Sequence, residues 1–407
     1  MILEVIACIA IGYVILMSIM LIMPFPLQHY AIYMNWLNFP SLKMRDGFES
    51  FGYRAGSVRT VFIKTSDGLS LGAWHLLPHS STQRPVPGLT LQESLNHRGD
   101  VLLKSAKKVY LYFHGNAGNR ATFHRNDFYK MMTALGEESH VLTIDYRGFG
   151  DSSSAVPTEK GLALDSMAAY EWLVARGVPP ARIILVGHSL GTGVATNLAF
   201  LLTQKTKPLS QQLFGGLILL SGYASICDAA LGYPMVPLLL PFQGYTMTER
   251  WIKSRFVDHW SSAQKISTIR APILIVHGKK DIEIQLWQGR ALFLEAAGGR
   301  LGRKFINDDC YWDLRQSTSK FVPRELDGIM VTDLGENEGD LWCVDMPKLP
   351  SGSSARASTT TQNPHQEPVW LLEITHGAHN NLSKFLILAD TIESWTTACA
   401  AAGPKLY

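Results

Sequence analysis

The 407-residue sequence places one serine where a sharp turn is predicted. Residues 187–191 read G-H-S-L-G around Ser189, between an apolar run over 183–186 and an Ala/Leu-rich segment with helical spacing. Glycines two residues before and after the serine leave room where side chains would collide with backbone. Such a turn would lift the Ser189 hydroxyl out of a sheet and face it towards a helix N-terminus, which predicts a serine nucleophile. A glycine-rich turn with an incidental serine is the alternative, so the prediction depends on partner residues.

A serine hydroxyl is a weak nucleophile at neutral pH and needs a base and an acid that orients the base. Two histidines, His376 and His379, follow the last predicted strand, and we favour His379 because it stands in the loop before the closing helix. Asp281 follows the preceding predicted strand and is the predicted acid, with Glu283 as the alternative. The chain order serine, acid, histidine agrees with a nucleophile on a strand-to-helix turn. A structural histidine and a solvated loop carboxylate are the competing interpretations.

The reaction also needs hydrogen-bond donors for the negative charge on the attacked carbonyl oxygen. Residues 114–116 read H-G-N after another predicted strand and would present backbone N–H groups towards the serine turn. The predicted oxyanion donors are the N–H groups of Asn116, or of a neighbouring residue, and of Leu190, and loss of one such donor typically costs about 3 kcal/mol. His114 and His188 are interpreted as groups that shape the turn and the pocket, not as further bases.

All of these residues stand at the ends of predicted strands. Short apolar runs alternate with segments of helical spacing, and each run ends in glycine or a polar cluster. This pattern predicts the α/β class, with a mostly parallel, doubly wound sheet and helices on both faces. Ligands of such sheets bind at the carboxyl ends of the strands. The predicted strands cover residues 59–64, 69–77, 108–113, 141–144, 183–186, 216–220, 273–276 and 370–374.

The predicted catalytic domain covers residues 59–407 and contains two insertions. The insertion at 223–266 is apolar and proline-bearing, so we interpret it as a lid or an acyl-binding wall, with ordinary core packing as the alternative. The insertion at 298–368 is predicted to be irregular, and its end, residues 349–368, has the composition of a disordered linker. Residues 78–100 are predicted to form an exposed loop.

The N-terminal segment contains nineteen consecutive uncharged residues, 5–23, which as a helix just crosses a bilayer core. It has no polar face, Glu4 stands where a signal peptide carries basic residues, and no cleavage site follows. We therefore predict a transmembrane anchor over residues 1–25 in preference to a cleaved signal peptide or a buried helix. Residues 26–58 are the predicted connector to the catalytic domain.

The composition gives no support to several other classes of function. The net charge is +3 and no basic cluster is interleaved with aromatic residues, so nucleic-acid binding is not predicted. The five cysteines lack C-x-x-C pairs and zinc spacing, so neither a metal site nor a disulfide framework is predicted. A Cys310–Cys343 bridge is conceivable in an oxidising compartment. No cofactor is predicted, and the sequence does not indicate an oligomeric state.

Five motifs together resemble a known family. They are H-G-N-A-G-N at 114–119, D-Y-R-G-F-G-D-S at 145–152, G-H-S-L-G at 187–191, H-G-K-K-D at 277–281 and G-A-H-N-N-L at 377–382. The set resembles the α/β-hydrolase superfamily, and with the N-terminal segment it is similar to the membrane-anchored branch around α/β-hydrolase domain-containing protein 12 and its fungal relatives. The resemblance implies the α/β-hydrolase fold and a triad on Ser189, Asp281 and His379.

The same resemblance implies hydrolysis of lysophospholipids (lysophosphatidylserine) or monoacylglycerols at the endoplasmic reticulum membrane, with a luminal catalytic domain. By the positive-inside rule, Lys43 and Arg45 after the anchor would instead favour the cytoplasmic side. The leading hypothesis is a membrane-anchored serine lipase with a lipid substrate. A protein depalmitoylase or serine peptidase on the same triad, and a non-catalytic scaffold with this fold, are the alternatives.

Overall fold

The computed structural model of the chain describes residues 2–22, 27–40, 48–78, 88, 90–136, 138–205, 213–234, 245–305, 314–315, 328–344 and 367–402. Its helices are α1 Ile2–Ile22, α2 Leu27–Tyr33, α3 Leu91–Ser105, α4 Phe123–Ala134, α5 Glu159–Ala175, α6 Leu190–Lys205, α7 Ile226–Gly232, α8 Thr246–Lys253, α9 Ser262–Ile266, α10 Leu286–Leu301 and α11 Leu386–Ala402. Its strands are β1 Val58–Lys64, β2 Ser70–Leu76, β3 Lys108–Phe113, β4 Ser139–Ile144, β5 Ile183–His188, β6 Gly216–Leu220, β7 Ile273–Gly278, β8 Ile329–Gly335, β9 Gly339–Val344 and β10 Val369–Ile374.

The strands form one sheet in the order β1-β2-β4-β3-β5-β6-β7-β10-β9-β8. The six central strands, from β4 to β10 in this order, pair in parallel, and the pairs at both edges are antiparallel. Every predicted strand is present, and the predicted mostly parallel α/β class is confirmed. The carboxyl ends of the parallel strands share one edge of the sheet, and the polar clusters of the sequence therefore meet there.

Each face of the central sheet is covered by helices, which explains the continuous apolar runs. Along β5, Leu185 packs into one core with side chains of α5, α6 and α10, whereas Ile184 and Val186 pack into a second core with α4 and α11. Successive side chains of a strand point to opposite faces, so a strand covered on both faces must be apolar at every position.

The predicted loop over residues 78–100 was wrong at its end, because helix α3 begins at Leu91. Thr90 accepts a hydrogen bond from the Glu93 N–H, and the Glu93 carboxylate accepts one from the Thr90 N–H, which is a capping box. Leu95 and Leu103 are buried on its inner face. The T-x-x-E signal before an apolar repeat was readable in the sequence and marks this helix start.

The prediction that residues 298–368 are irregular was also wrong in part, because they contain the hairpin of β8 and β9. Strand β9 pairs antiparallel with β10 and buries Trp342 and Val344. A Cβ atom on Gly339 would collide with the Glu373 carbonyl oxygen, so glycine allows this close approach. The predicted linker at 349–368 lies outside the described residues up to position 366.

The predicted lid region contains helices α7, α8 and α9, while residues 235–244 lie outside the described part. Arg315 of the second insertion donates hydrogen bonds to Asp228 of α7 at 2.8 Å and to Glu249 of α8 at 2.5 Å. Lys253 lies 2.7 Å from the same Asp228 carboxylate. The two insertions are therefore joined by a cluster of opposite charges.

The predicted transmembrane segment coincides with helix α1, Ile2–Ile22. Among the described residues, no helix has the length and apolarity that crossing a membrane requires. The transmembrane anchor is thus unconfirmed and stays a prediction.

Candidate active site

Ser189 occupies a strained turn between β5 and α6. Its φ is 53°, in the left-handed region that residues with a side chain rarely adopt. A Cβ atom on Gly187 would collide with the Gly191 carbonyl, and one on Gly191 would collide with the Phe113 carbonyl. The two glycines therefore permit the bend, and strain of this kind is concentrated at functional sites. Ser189 is 8% exposed, and among the described residues its hydroxyl has no hydrogen-bond partner.

Asp281 and His379 form a buried pair at the ends of the neighbouring strands β7 and β10. Nδ1 of His379 lies 2.9 Å from Oδ2 of Asp281. The other carboxylate oxygen accepts hydrogen bonds from the N–H groups of Glu283 at 3.0 Å and Ile284 at 2.9 Å. Burial alone would raise the pKa of Asp281, but the hydrogen bond and charge of His379 outweigh it and lower the pKa to about 2. Asp281 is therefore ionised at neutral pH and accepts a hydrogen bond from Nδ1–H of His379.

The imidazole of His379 lies between two carboxylates. Burial acts to lower its pKa, but the hydrogen bond and charge of Asp281, with a further contribution from the charge of Glu283, raise the pKa above its ordinary value. Oε2 of Glu283 lies 3.7 Å from Nε2 of His379, and the Glu283 side chain is 36% exposed. The nitrogen that could act as a base thus faces a carboxylate in this structure.

A second histidine, His188 of the serine turn, is hydrogen-bonded to the main chain of His379. Nε2 of His188 lies 2.8 Å from the His379 carbonyl oxygen, and the Ser221 hydroxyl donates to the same oxygen at 3.4 Å. Burial lowers the pKa of His188 far below its ordinary value, so its ring is neutral and donates Nε2–H. The sequence analysis interpreted His188 as a group that shapes the turn, but it did not predict this contact with the His379 main chain.

The two alternative candidates, His376 and Glu283, do not take part in the contact between Asp281 and Nδ1 of His379. His376 is exposed and its Nδ1 lies 2.9 Å from the Lys280 ammonium group, so it does not meet Asp281. Glu283 lies on the Nε2 side of His379 and not on the Nδ1 side that Asp281 occupies. The structure therefore brings His379 and Asp281 together and leaves His376 outside the cluster.

Two unpartnered backbone amides lie at the predicted oxyanion site. Among the described residues, the N–H groups of Asn116 and Leu190 donate no hydrogen bond. Leu190 is the first residue of α6, where backbone N–H groups lack an intrahelical partner. A Cβ atom on Gly115 would lie 3.1 Å from the Cβ of Ser189, so the loop before Asn116 passes close to the serine.

Replacement of Glu283 by glutamine is expected to lower the pKa of His379, because a negative charge near Nε2 favours the imidazolium form. An NMR titration of the His379 imidazole measures this shift. The matched control is Glu171→Gln, which removes an exposed carboxylate of α5. A His379 pKa that is unchanged or higher in Glu283→Gln would contradict the assignment of this charge effect.

The structure gives two observations on side chains that could bind a metal or form a disulfide. No group of three His, Cys, Asp or Glu side chains there could hold a metal ion. Cys343 is a free cysteine, and Cys310 lies outside the described residues.

Comparison with known proteins shows clear similarities. Residues 110–295 match the family model described as the alpha/beta hydrolase family. Protein ABHD12B of Homo sapiens is 30% identical over 271 residues, which cover 66% of this chain and 69% of that protein. Lysophosphatidylserine lipase ABHD12 of Rattus norvegicus is 33% identical over 252 residues, covering 60% of this chain and 58% of the relative. The corresponding lipase of Xenopus tropicalis is 30% identical over 286 residues, which cover 69% of this chain and 68% of that protein. The matches thus span 58% to 69% of the length of these relatives.

Proposed function

The chain belongs to the α/β-hydrolase family and is an enzyme of the serine-hydrolase class, and on this premise we propose that it cleaves carboxylic esters of lipids with Ser189 as nucleophile, His379 as base and Asp281 as orienting acid. The observation that carries the proposal is the buried contact of 2.9 Å between His379 and Asp281 at the sheet edge where the serine turn lies. A histidine held in this way by a carboxylate presents its second nitrogen as a base.

The first step transfers a proton and forms one bond. Asp281 holds the proton of His379 on Nδ1, which leaves a lone pair on Nε2. Nε2 takes the proton of the Ser189 hydroxyl while Oγ bonds to the ester carbonyl carbon. Nε2 must come within hydrogen-bond reach of the Ser189 hydroxyl for this step, and catalytic hydrogen bonds commonly tighten only when substrate is bound.

Negative charge then develops on the former carbonyl oxygen. The unpartnered N–H groups of Asn116 and Leu190 would donate to it, and the positive end of the α6 dipole adds to their field. Donors that are already oriented and free of other partners stabilise this charge without reorganising, at about 3 kcal/mol for each donor.

Collapse of the tetrahedral intermediate completes the transfer. The ester C–O bond breaks, and the Nε2 proton of His379 passes to the leaving alkoxide, which leaves an acyl group on Ser189. Water then gives a proton to Nε2 as its oxygen attacks the acyl carbon. The bond between the acyl carbon and Oγ of Ser189 breaks, Nε2 returns its proton to Oγ, and the fatty acid is released.

The lipid substrate is proposed from two sources of support. The relatives named above include lysophosphatidylserine lipases, so we propose a lysophospholipid, with lysophosphatidylserine first, or a monoacylglycerol. In the lid region, Tyr245, Met247 and Trp251 expose large apolar surfaces to solvent. Exposed apolar surface of this kind suits contact with acyl chains.

We further propose a single-pass anchor in the endoplasmic reticulum membrane, formed by the segment of helix α1. The exposed apolar side chains of this helix support the proposal: Leu3, Val5, Ile6, Ile9, Ile11, Val14, Ile15 and Ile19. Apolar side chains exposed along a whole helix are stable in lipid and costly in water.

Removal of residues 2–22 is expected to release the protein from membranes and to leave the catalytic domain folded. Removal of residues 2–40 is expected to destabilise it by about 3 kcal/mol or more, because the fully buried Tyr33 would be lost. The Tyr33 hydroxyl donates to Asp258 at 2.7 Å and accepts from Trp260 at 3.1 Å. Carbonate extraction measures the anchoring and denaturant unfolding measures the stability. Equal stability of the two truncated forms would contradict the role of Tyr33.

The proposed function is tested with the full chain in detergent micelles. Hydrolysis is measured on lysophosphatidylserine, monoacylglycerol, a palmitoyl thioester peptide and an unmodified peptide, together with labelling by a fluorophosphonate probe. We expect ester hydrolysis and labelling that are lost in Ser189→Ala and kept in Ser105→Ala, which alters an exposed serine of α3. Hydrolysis of the thioester or of the peptide, with no hydrolysis of the two lipid esters, would contradict the lipase proposal. Absence of both labelling and turnover would favour a scaffold.

A further inference from the structure

Arg125 of helix α4 is a buried cation with an unusual set of partners. It is 2% exposed, and its guanidinium donates to four backbone carbonyls of the loop that precedes the helix. Nη1 donates to Asn119 O at 2.6 Å, and Nη2 lies 3.1, 3.0 and 2.9 Å from the carbonyl oxygens of Gly115, Asn116 and Ala117. Nη2 alone thus contacts the carbonyl oxygens of three consecutive residues, 115–117.

Among the described residues, no carboxylate forms an ion pair with Arg125. The other buried arginines of the described chain each lie near an aspartate or glutamate: Arg59, Arg120, Arg147, Arg290 and Arg300. A buried charge is costly unless it is paired, so an arginine that is buried against main-chain carbonyls alone requires another explanation.

The orientation of the three peptides supplies that explanation. In a trans peptide the N–H points opposite to the C=O, so carbonyls turned towards Arg125 direct the N–H groups of residues 116–118 away from it. The Ala117 N–H donates to Tyr33 O at 2.9 Å, and the Gly118 N–H donates to Leu37 O at 2.6 Å. Among the described residues, the Asn116 N–H alone of these three has no partner.

We propose that Arg125 is the positioning residue of the oxyanion site, an inference that rests on the proposed function. By holding the Gly115 carbonyl, which also lies 2.7 Å from Nδ1 of His114, the cation fixes the Asn116 N–H in its direction. Its charge also polarises the peptide and makes that N–H a stronger donor. Arg125 does not touch the substrate and acts through the loop.

The test compares Arg125→Met and Arg125→Lys with the wild-type full chain. We expect Arg125→Met to lower kcat by about 10- to 100-fold, short of the loss of an entire oxyanion donor, with KM changed little. The affinity for a trifluoromethyl ketone, which forms a charged tetrahedral adduct with the serine, is expected to fall by the same factor as kcat/KM. The kcat and the ketone affinity of Arg125→Lys are expected to lie between those of the wild type and Arg125→Met. An ammonium group keeps the charge but cannot contact several carbonyls as the planar guanidinium does.

Arg300→Met is the matched control. Arg300 is buried too and donates to the backbone carbonyls of Ile269 and Ala271, away from the serine loop. The Arg300→Met variant is expected to be less stable than the wild type, without a selective loss of kcat or of ketone affinity. Titration of active sites with a fluorophosphonate corrects kcat for any unfolded fraction.

The outcomes separate the two proposals. A wild-type enzyme that neither turns over esters nor reacts with the probe would refute the proposed function and this inference with it. An active wild type with Arg125→Met equal to it in corrected kcat and ketone affinity would refute only the role of Arg125. Parallel losses in Arg125→Met and Arg300→Met would refute it as well, because they would reflect stability alone.

Discussion

Ser189→Ala is expected to lower kcat by about 10⁶-fold, because the covalent step loses its nucleophile while oxyanion donors and substrate binding remain. His379→Ala is expected to have a similar effect, since without Nε2 the hydroxyl keeps its proton. Both are measured by initial rates of lysophospholipid hydrolysis with the protein in detergent.

A double variant of Ser189 and His379 tests whether the two residues act in the same step. Residues that act in one step are strongly non-additive, so Ser189→Ala/His379→Ala is expected to be no slower than either single variant. Ser105→Ala should match the wild type. A double variant that multiplies the two losses would contradict a joint role for Ser189 and His379.

Asp281→Asn is expected to lower kcat by about 10⁴-fold with the fold intact. The carboxylate, whose pKa is about 2, both selects the tautomer with the proton on Nδ1 and stabilises the imidazolium that forms in the reaction. The asparagine amide would have the wrong donor pattern for this tautomer. Rates and a thermal unfolding curve of the same preparation separate lost catalysis from lost stability.

Glu283→Gln is the matched control because its carboxylate lies on the opposite nitrogen of the same imidazole. Glu283 is partly exposed, so its loss is expected to change the rate at pH 8 by about fivefold or less. A larger loss in Glu283→Gln than in Asp281→Asn would identify Glu283 as the orienting acid and overturn the assignment made here.

Several features of this protein followed from the sequence alone. The strands of the sheet were predicted because strands covered on both faces are apolar at every position. The strand–turn–helix around Ser189 was predicted because glycines at 187 and 191 are needed for a bend that close. Helix α3 also has a local signal, the capping box at Thr90 and Glu93, although residues 78–100 were predicted to form a loop.

Other features depended on residues that are far apart in the chain. The hairpin of β8 and β9 joins the sheet because β9 pairs with β10, a strand that follows it only after a long intervening segment. His376 and His379 stand three residues apart, and the position of β7 beside β10 decides which imidazole meets Asp281.

The partners of Arg125 and Tyr33 likewise exist only in the folded chain, since Tyr33 contacts residues more than 200 positions away. Local sterics and periodicity act between neighbours and can be read from the order of residues. The choice among several possible partners for a charge or a proton depends on strand order and burial, which the tertiary structure sets.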